Sequence, residues 1–175
     1  MPHRPAPAIA LRRTTAADVP LLFAFEREEA ANALAGTRPR DWPTFSARWS
    51  EILADDDGSR TGVVPRVILA DGVVVGAVNI SPQDGADSIG YWIAQRHWGR
   101  GIASRAVALM LEEYRRRPLL ATVDARNRAS LRVLAKNGFA IRSRSWTPEN
   151  VRCVARETIW LVLEHVAEGD LRQNW

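Results

Sequence analysis

The chain has 175 residues, 46% of them hydrophobic and 25% charged, with a formal net charge of +4. That is the composition of a soluble globular protein, long enough for one domain with a substantial core. No apolar run nears the roughly 20 residues that a membrane-spanning helix needs. The lone Cys153 excludes an internal disulfide framework and suits a reducing cytoplasm, the expected location.

The first eight residues are proline-rich and carry no leader-like apolar run, so a disordered arm is expected there. Residues 9–13 are short and apolar enough for a first strand. A helix is expected over 18–33, capped by Thr15 with Asp18 in its first turn, and with Val19, Leu22, Phe23 and Ala30 at helical spacing. Gly36 and Pro39 stop it. Pro43 opens a second helix over 43–54, with Phe45, Trp49, Ile52 and Leu53 toward one face. Asp55-Asp56-Asp57-Gly58 reads as a solvated loop, because calcium ligands alternate along a loop and these are consecutive. No metal is expected.

Strands over 66–70 and 73–80 flank Asp71-Gly72, a strong two-residue turn signal. A turn at 82–86 and a strand over 88–94 complete an antiparallel meander. A helix over 102–117 turns Val107, Met110, Leu111 and Tyr114 inward. Arg115-Arg116-Arg117 then falls in its last turn, where cations favour the helix dipole, and Pro118 stops it. Residues 119–124 form a short buried strand. A helix opens at Asn127, with Leu131, Leu134 and Ala135 inward and Gly138 at its end. Strands over 139–146 and 151–164 follow, and 169–175 is a loose tail. The last strand is expected at a sheet edge able to pair with another copy, so the protein is expected to be a monomer or a homodimer. The fold class is α/β (α+β). A mixed, mostly antiparallel central sheet of about seven strands is flanked by about four helices in one domain over 9–168.

The chemistry concentrates after the third strand of the meander. Arg96-His97-Trp98-Gly99-Arg100-Gly101 is a short basic turn running into a helix. The first turn of a helix leaves about four N–H groups unpaired, and its dipole is positive there. Gly99 and Gly101 let a bulky anion touch the main chain. A phosphate or pyrophosphate fits such a turn. The positive charge is almost all arginine, Lys136 being the only lysine. Arginine suits phosphate, and a genome's base composition produces the same bias.

This turn resembles the acyl-CoA pyrophosphate loop of the GNAT superfamily of N-acetyltransferases: Gln or Arg, two residues, Gly, any residue, then Gly or Ala. Asn127-Arg128-Ala129-Ser130-Leu131-Arg132-Val133-Leu134-Ala135-Lys136-Asn137-Gly138-Phe139 resembles the next signature of that family, an Asn opening a helix that ends in Gly-Phe. Together with Gly90-Tyr91-Trp92-Ile93 and Trp98-Gly99, the chain is most similar to the branch that includes ribosomal-protein N-terminal acetyltransferases. The resemblance implies acetyl-CoA as cosubstrate and a primary amine, on a small molecule or a protein N-terminus, as acceptor. It implies a pantetheine arm along the backbone of Ile93. Arg96, Trp98 and the amides of Gly99, Arg100, Gly101, Ile102, Ala103 and Ser104 would hold the pyrophosphate, and Asn127 would contact the cosubstrate, with Ser130 where its thiol passes. Arg105 stands where this branch often has Glu.

Catalysis by direct attack in a ternary complex needs an acid for the thiolate and a base for the ammonium. Many relatives carry the acid as a Tyr about two turns beyond the Asn, where this chain has Leu134. Ser130 is the substitute. Tyr91 could serve as the acid, but core packing is the preferred reading, since it shares one strand face with Ile89 and Ile93. Glu28 is the base candidate, beside Glu26, Glu29, Asp84 and Asp87. Trp146 and the loop to Asn150 are expected to flank the acceptor pocket, and His97 to orient the glycine turn. The missing Tyr also admits a non-catalytic acyl-CoA-binding regulatory module. Nucleic acid is not expected as a partner, since the tryptophans are scattered through elements whose packing accounts for them.

Overall fold

The computed structural model describes residues 6–164. The parts of the expected arm and tail at 1–5 and 169–175 lie outside them, as do His3 and His165. Asp71 N–H donates to Ala8 O at 2.9 Å, and the Asp71 carboxylate accepts from Ala8 N–H at 2.9 Å.

The elements follow the order β1 (Ile9–Arg13), α1 (Val19–Glu26), α2 (Glu29–Ala35), α3 (Trp42–Leu53), β2 (Val64–Ala70), β3 (Val73–Gln83), β4 (Ala86–Ile93), α4 (Ile102–Glu113), β5 (Leu119–Asp124), α5 (Arg128–Lys136), β6 (Ala140–Thr147) and β7 (Arg156–Leu163). The strands form one seven-stranded sheet ordered β1-β2-β3-β4-β5-β7-β6. Every neighbouring pair is antiparallel except β4 and β5. Parallel neighbours need a crossover, and α4 supplies it. The mixed, mostly antiparallel sheet expected from sequence is therefore the one observed.

Both sheet faces are covered. Ile80, Ile89, Ile102, Met110, Leu134 and Ile159 form part of one core beneath α4 and α5. Val19, Leu22, Phe25, Phe45 and Trp49 form another beneath α1 and α3. Each such burial stabilises by about 1.5–3 kcal/mol relative to exposure.

Five local expectations are corrected. The helix expected over 18–33 is two helices. Glu28 is extended (φ −64°, ψ 116°), and Asn32 Nδ2 donates to the carbonyls of Glu26 and Glu28 that the break exposes, at 2.6 and 3.0 Å. The helix expected to reach residue 117 stops at Glu113. Tyr114 turns extended and donates its hydroxyl to Asp87 Oδ2 at 2.6 Å, so the triple arginine lies beyond the helix. The second turn of the meander is Asp84-Gly85, both at positive φ, because β3 runs on through Pro82. Ala135 is exposed, and Val133 packs against the core instead. The last strand begins at Arg156 and lies between β5 and β6, so β6 is the edge.

β4 and β5 pair only at Asp87–Leu119 and Ser88–Leu120. Beyond Ser88 the two strands diverge, and the sheet is split between the end of β4 and the end of β5.

Candidate active site

The split exposes the backbone of β4. Ala94 N–H donates to Val75 O on β3, and antiparallel ladders alternate direction from one residue to the next. Ile93 and Tyr91 therefore turn their backbone groups toward the split. Three contacts clamp this end of β4. Trp92 Nε1 donates to Phe25 O at 2.9 Å, Gln95 N–H to Glu28 Oε2 at 2.8 Å, and Trp98 Nε1 to Ile93 O at 2.7 Å.

A cavity of about 310 Å³ fills the split. Ile93, Trp98 and every residue from Gly99 to Ser104 line it, with Tyr91, Asn127 and Ser130 across from α2. Gly99 and Gly101 have φ of 71° and 74°, and a Cβ added at either would meet nothing within 4 Å. The main chain of the turn is thus open to a ligand. The first hydrogen bond of α4 is Arg105 N–H to Gly101 O. The N–H groups of Ile102, Ala103 and Ser104 are left at the helix start, beside Arg100. His97 lies between Arg96 and Arg100, with ring nitrogens 3.1 and 3.3 Å from their guanidinium groups. Burial first, and then these two charges, push its pKa down.

The far wall is the start of α5. Buried Asp124 ends β5 and accepts from the Arg126 amide and guanidinium at 2.8–3.0 Å, which holds its carboxyl below the usual range. Asn127 caps the helix, its Oδ1 accepting from Ser130 N–H at 3.0 Å. Ser130 Oγ lies 2.7 Å from Tyr91 Oη. Burial pushes the Tyr91 phenol up to about 12, against the opposing effect of its Ser130 hydrogen bond. Leu134, at the position of the missing Tyr, is 1% exposed and packs in the core.

A second cavity, about 290 Å³, shares Tyr91 and Trp92 with the first as lining residues. Its walls are Leu22, Phe25, Phe45, Trp49 and Ala77, and its charged residues are Glu26, Arg40 and Arg152. Asn79 Oδ1, opposite Gly90 in the β3–β4 register, is buried without a partner.

Arg96, Glu28 and Trp146 are not brought to either cavity. Arg96 places its guanidinium over the Phe25 ring, 5.4 Å from the centroid. Glu28 is spent on Gln95. Trp146, expected near the acceptor, is 69% exposed on β6 and lines neither cavity. Sequence reasoning missed Arg132 and Lys136, which line the first cavity one turn apart on α5. It also missed Arg40 and Arg152 in the second. The four-residue spacing of Arg128, Arg132 and Lys136 was a readable sign of a basic helix face. Nothing local marked the other two. Among the described residues, no group of three or more His, Cys, Asp or Glu could hold a metal, and no helix is long and apolar enough to cross a membrane.

A sheet split between two parallel strands, with an open glycine turn and helix start at one wall and a capped hydroxyl-bearing helix at the other, suits an acyl-CoA-type transferase. The chain belongs to the family described as "Acetyltransferase (GNAT) domain", which matches residues 9–140, and it is an acetyl-CoA-dependent N-acetyltransferase. Among solved structures it is similar to Mycobacterium smegmatis RimJ in complex with CoA-disulfide, at 27% identity and TM-score 0.71 over 97% of this chain and 87% of that one. A ribosomal-protein-alanine N-acetyltransferase from Brucella melitensis shares 21% identity and TM-score 0.70 over 89% and 99%. Spermidine N-acetyltransferase from Vibrio cholerae, solved with CoA and spermine, shares the fold at TM-score 0.75 and 12% identity over 89% and 95%. RimJ is consistent with the branch that the sequence resembles. No curated protein matches the chain by sequence.

Proposed function

We propose that the protein acetylates a primary amine by direct attack, with acetyl-CoA in the first cavity and the amine in the second. The observation that carries this reading is that Tyr91 and Trp92 line both cavities, beside the Tyr91–Ser130 hydroxyl pair. Acetyl-CoA supplies the activated acetyl group, and the residues present fit it. The open glycine turn and the unpaired amides from Gly99 to Ser104 match a pyrophosphate. The backbone of Ile93 and Tyr91 offers strand-like pairing to an amide-bearing arm. Asn127 has its Oδ1 committed to the cap, which leaves its Nδ2 to donate. Arg132 and Lys136 extend the basic wall.

In the reaction the ammonium loses one proton to become the amine, the C–N bond forms and the C–S bond breaks, and the nitrogen sheds a second proton as the sulfur gains one. Ser130 delivers that last proton, with Tyr91 hydrogen-bonded behind it. The high pKa of Tyr91 keeps the pair protonated at neutral pH. Glu28 serves as a positioning residue that fixes the α1–α2 corner to β4. The carboxylate lining the second cavity, Glu26, has both oxygens engaged by arginines. The amine therefore gives its proton to solvent, and the rate should rise with pH toward the pKa of the amine itself. The hydroxyl pair also favours turnover over a purely regulatory module.

Calorimetric titration with acetyl-CoA, followed by thiol release with a panel of primary amines, tests this reading. Saturable binding and amine-dependent thiol release are expected. A flat titration at high ligand concentration would overturn it.

A further inference from the structure

We propose that the acceptor is a primary amine that also carries a carboxylate, and that Arg40 and Arg152 receive the carboxylate. This rests on the N-acetyltransferase reading above and specifies its second substrate. The second cavity holds three charged side chains, two guanidinium groups and one carboxylate, a local charge of +1. Glu26 serves both arginines. Its Oε1 accepts from Arg40 N–H at 2.9 Å and from Arg40 Nη1 at 3.0 Å, and its Oε2 lies 2.9 Å from the same Nη1. Arg152 Nη2 is 3.3 Å from Oε1, and its Nη1 donates to Arg38 O. Burial first, and then the charge of Arg40, pull the Arg152 pKa down. Two cations crowd one anion. A second small anion between them relieves that repulsion and uses guanidinium donors in the bidentate geometry they favour.

The lining of the same cavity also holds a group that asks for a donor. Asn79 Oδ1 is buried with no partner, and a buried acceptor is satisfied in nearly all proteins. It faces Gly90 across the strand pair, where a Cβ would meet nothing within 4 Å. The N–H of an amine fits that space, close to Tyr91 and the first cavity. The lining also includes the apolar side chains of Phe45 and Trp49. A donor site, an apolar wall and an anion site in about 290 Å³ match a molecule of amino-acid size. A polyamine would bring a further positive charge against Arg40 and Arg152.

The test is calorimetry on the full chain saturated with CoA, titrated with L-amino acids, each paired with its α-amide and with the amine lacking the carboxyl group. Spermidine is the cationic control. Peptide amides with an N-terminal Asp or Glu form a second arm. Tighter binding there than to any free amino acid assigns the carboxylate to a protein N-terminus, and the reverse assigns it to a small molecule. Carboxylated members should bind at least about tenfold tighter than their amides. Arg40→Gln and Arg152→Gln should each weaken carboxylate binding about tenfold without changing the affinity for the amides, and Glu26→Gln should tighten it. Amides or spermidine binding as tightly as the carboxylates overturns the proposal. So does absence of binding by every carboxylated amine at about 10 mM. Acetyl-CoA affinity, measured separately, reports the fold of each variant. Its absence in the wild-type protein would instead remove the acetyltransferase reading itself.

Discussion

Tyr91 Oη lies 2.7 Å from Ser130 Oγ, joining β4 to the first turn of α5 across the split in the sheet. Both side chains line the first cavity. With the Tyr91 pKa pushed up to about 12 by burial, the hydroxyl pair stays neutral, and loss of kcat through its ionisation should appear only above about pH 10. Tyr91→Phe and Ser130→Ala should each lower kcat about 100-fold, the scale of a lost general acid. The double variant should be no slower than the worse single one, because the two act as a unit. Acetyl-CoA affinity should hold in all three. Steady-state kinetics with calorimetry checks this, and unchanged kcat in both single variants would remove the pair from the chemistry.

Gly101 tests the helix-start cradle. Its φ of 74° is costly for a residue with a side chain, while the space beside it is open. Gly101→Ala should cost about 1–2 kcal/mol of stability. The added methyl also occupies the approach of a phosphate to the amides. The KM for acetyl-CoA should therefore rise about tenfold while kcat at saturation changes little. A KM that stays constant while Tm falls would separate the glycine's structural role from any binding role.

What the sequence made legible was whatever is contiguous along it. The Asp71-Gly72 hairpin, the glycine turn running into α4 and the Asn127 cap each depend on a few adjacent residues. The split in the sheet, the Tyr91–Ser130 contact and the Arg40–Glu26–Arg152 cluster do not, because each joins segments far apart in the chain. The break at Glu28 shows the limit most clearly. Arg27 and Glu28 are good helix formers, with no Gly or Pro beside them. The chain leaves the helix where Gln95 N–H takes the Glu28 carboxylate and Asn32 covers the exposed carbonyls. The Tyr114–Asp87 hydrogen bond ends α4 in the same way, against the sequence expectation of another turn through the arginines.

Arg132 and Lys136 give a prediction from the part of the site that local reading missed. Both line the first cavity on one face of α5. Replacing both with Ala should weaken CoA binding by about tenfold, and the remaining affinity should depend less on ionic strength, because exposed charges act through a screened field. Titrations at low and high salt measure both effects. Parallel salt dependence in wild type and variant would take these residues out of phosphate binding.

Gly76 controls how closely β3 approaches β4. A Cβ there would stand 2.1 Å from Trp92 O and 3.1 Å from Ile93 Cα, and both contacts are to main chain that cannot swing aside. Gly76→Ala should cost about 3 kcal/mol through overpacking and lower Tm by roughly 6–12 °C. Any protein that still folds should have weakened acetyl-CoA binding, because the displaced segment of β4 carries Ile93. Thermal melts and calorimetry together check this, and an unchanged Tm would mean that β4 yields at no cost.

Asp18 gives a pH signature of stability away from both cavities. Its carboxylate accepts from Arg12 Nη1 and Nη2, each at 2.7 Å, and from Thr15 N–H and Oγ1 at 2.8 and 2.9 Å. The Arg12 hydrogen bonds first, and then those of Thr15, lower its pKa from 3.8 to about 2 against the cost of burial. A carboxyl depressed on folding contributes stability that is complete above its unfolded pKa and is lost as pH falls through the folded one. The loss therefore begins near pH 4 and is complete below about pH 2. Because Arg12 is 41% exposed, solvent screening keeps the contribution on the order of 1–2 kcal/mol. Asp18→Asn should be destabilised by that amount at pH 7, and the gap from wild type should close between pH 4 and pH 2. Urea unfolding at several pH values reads the gap directly. A gap of equal size at both ends of that window would mean that shape, and not charge, is what Asp18 contributes.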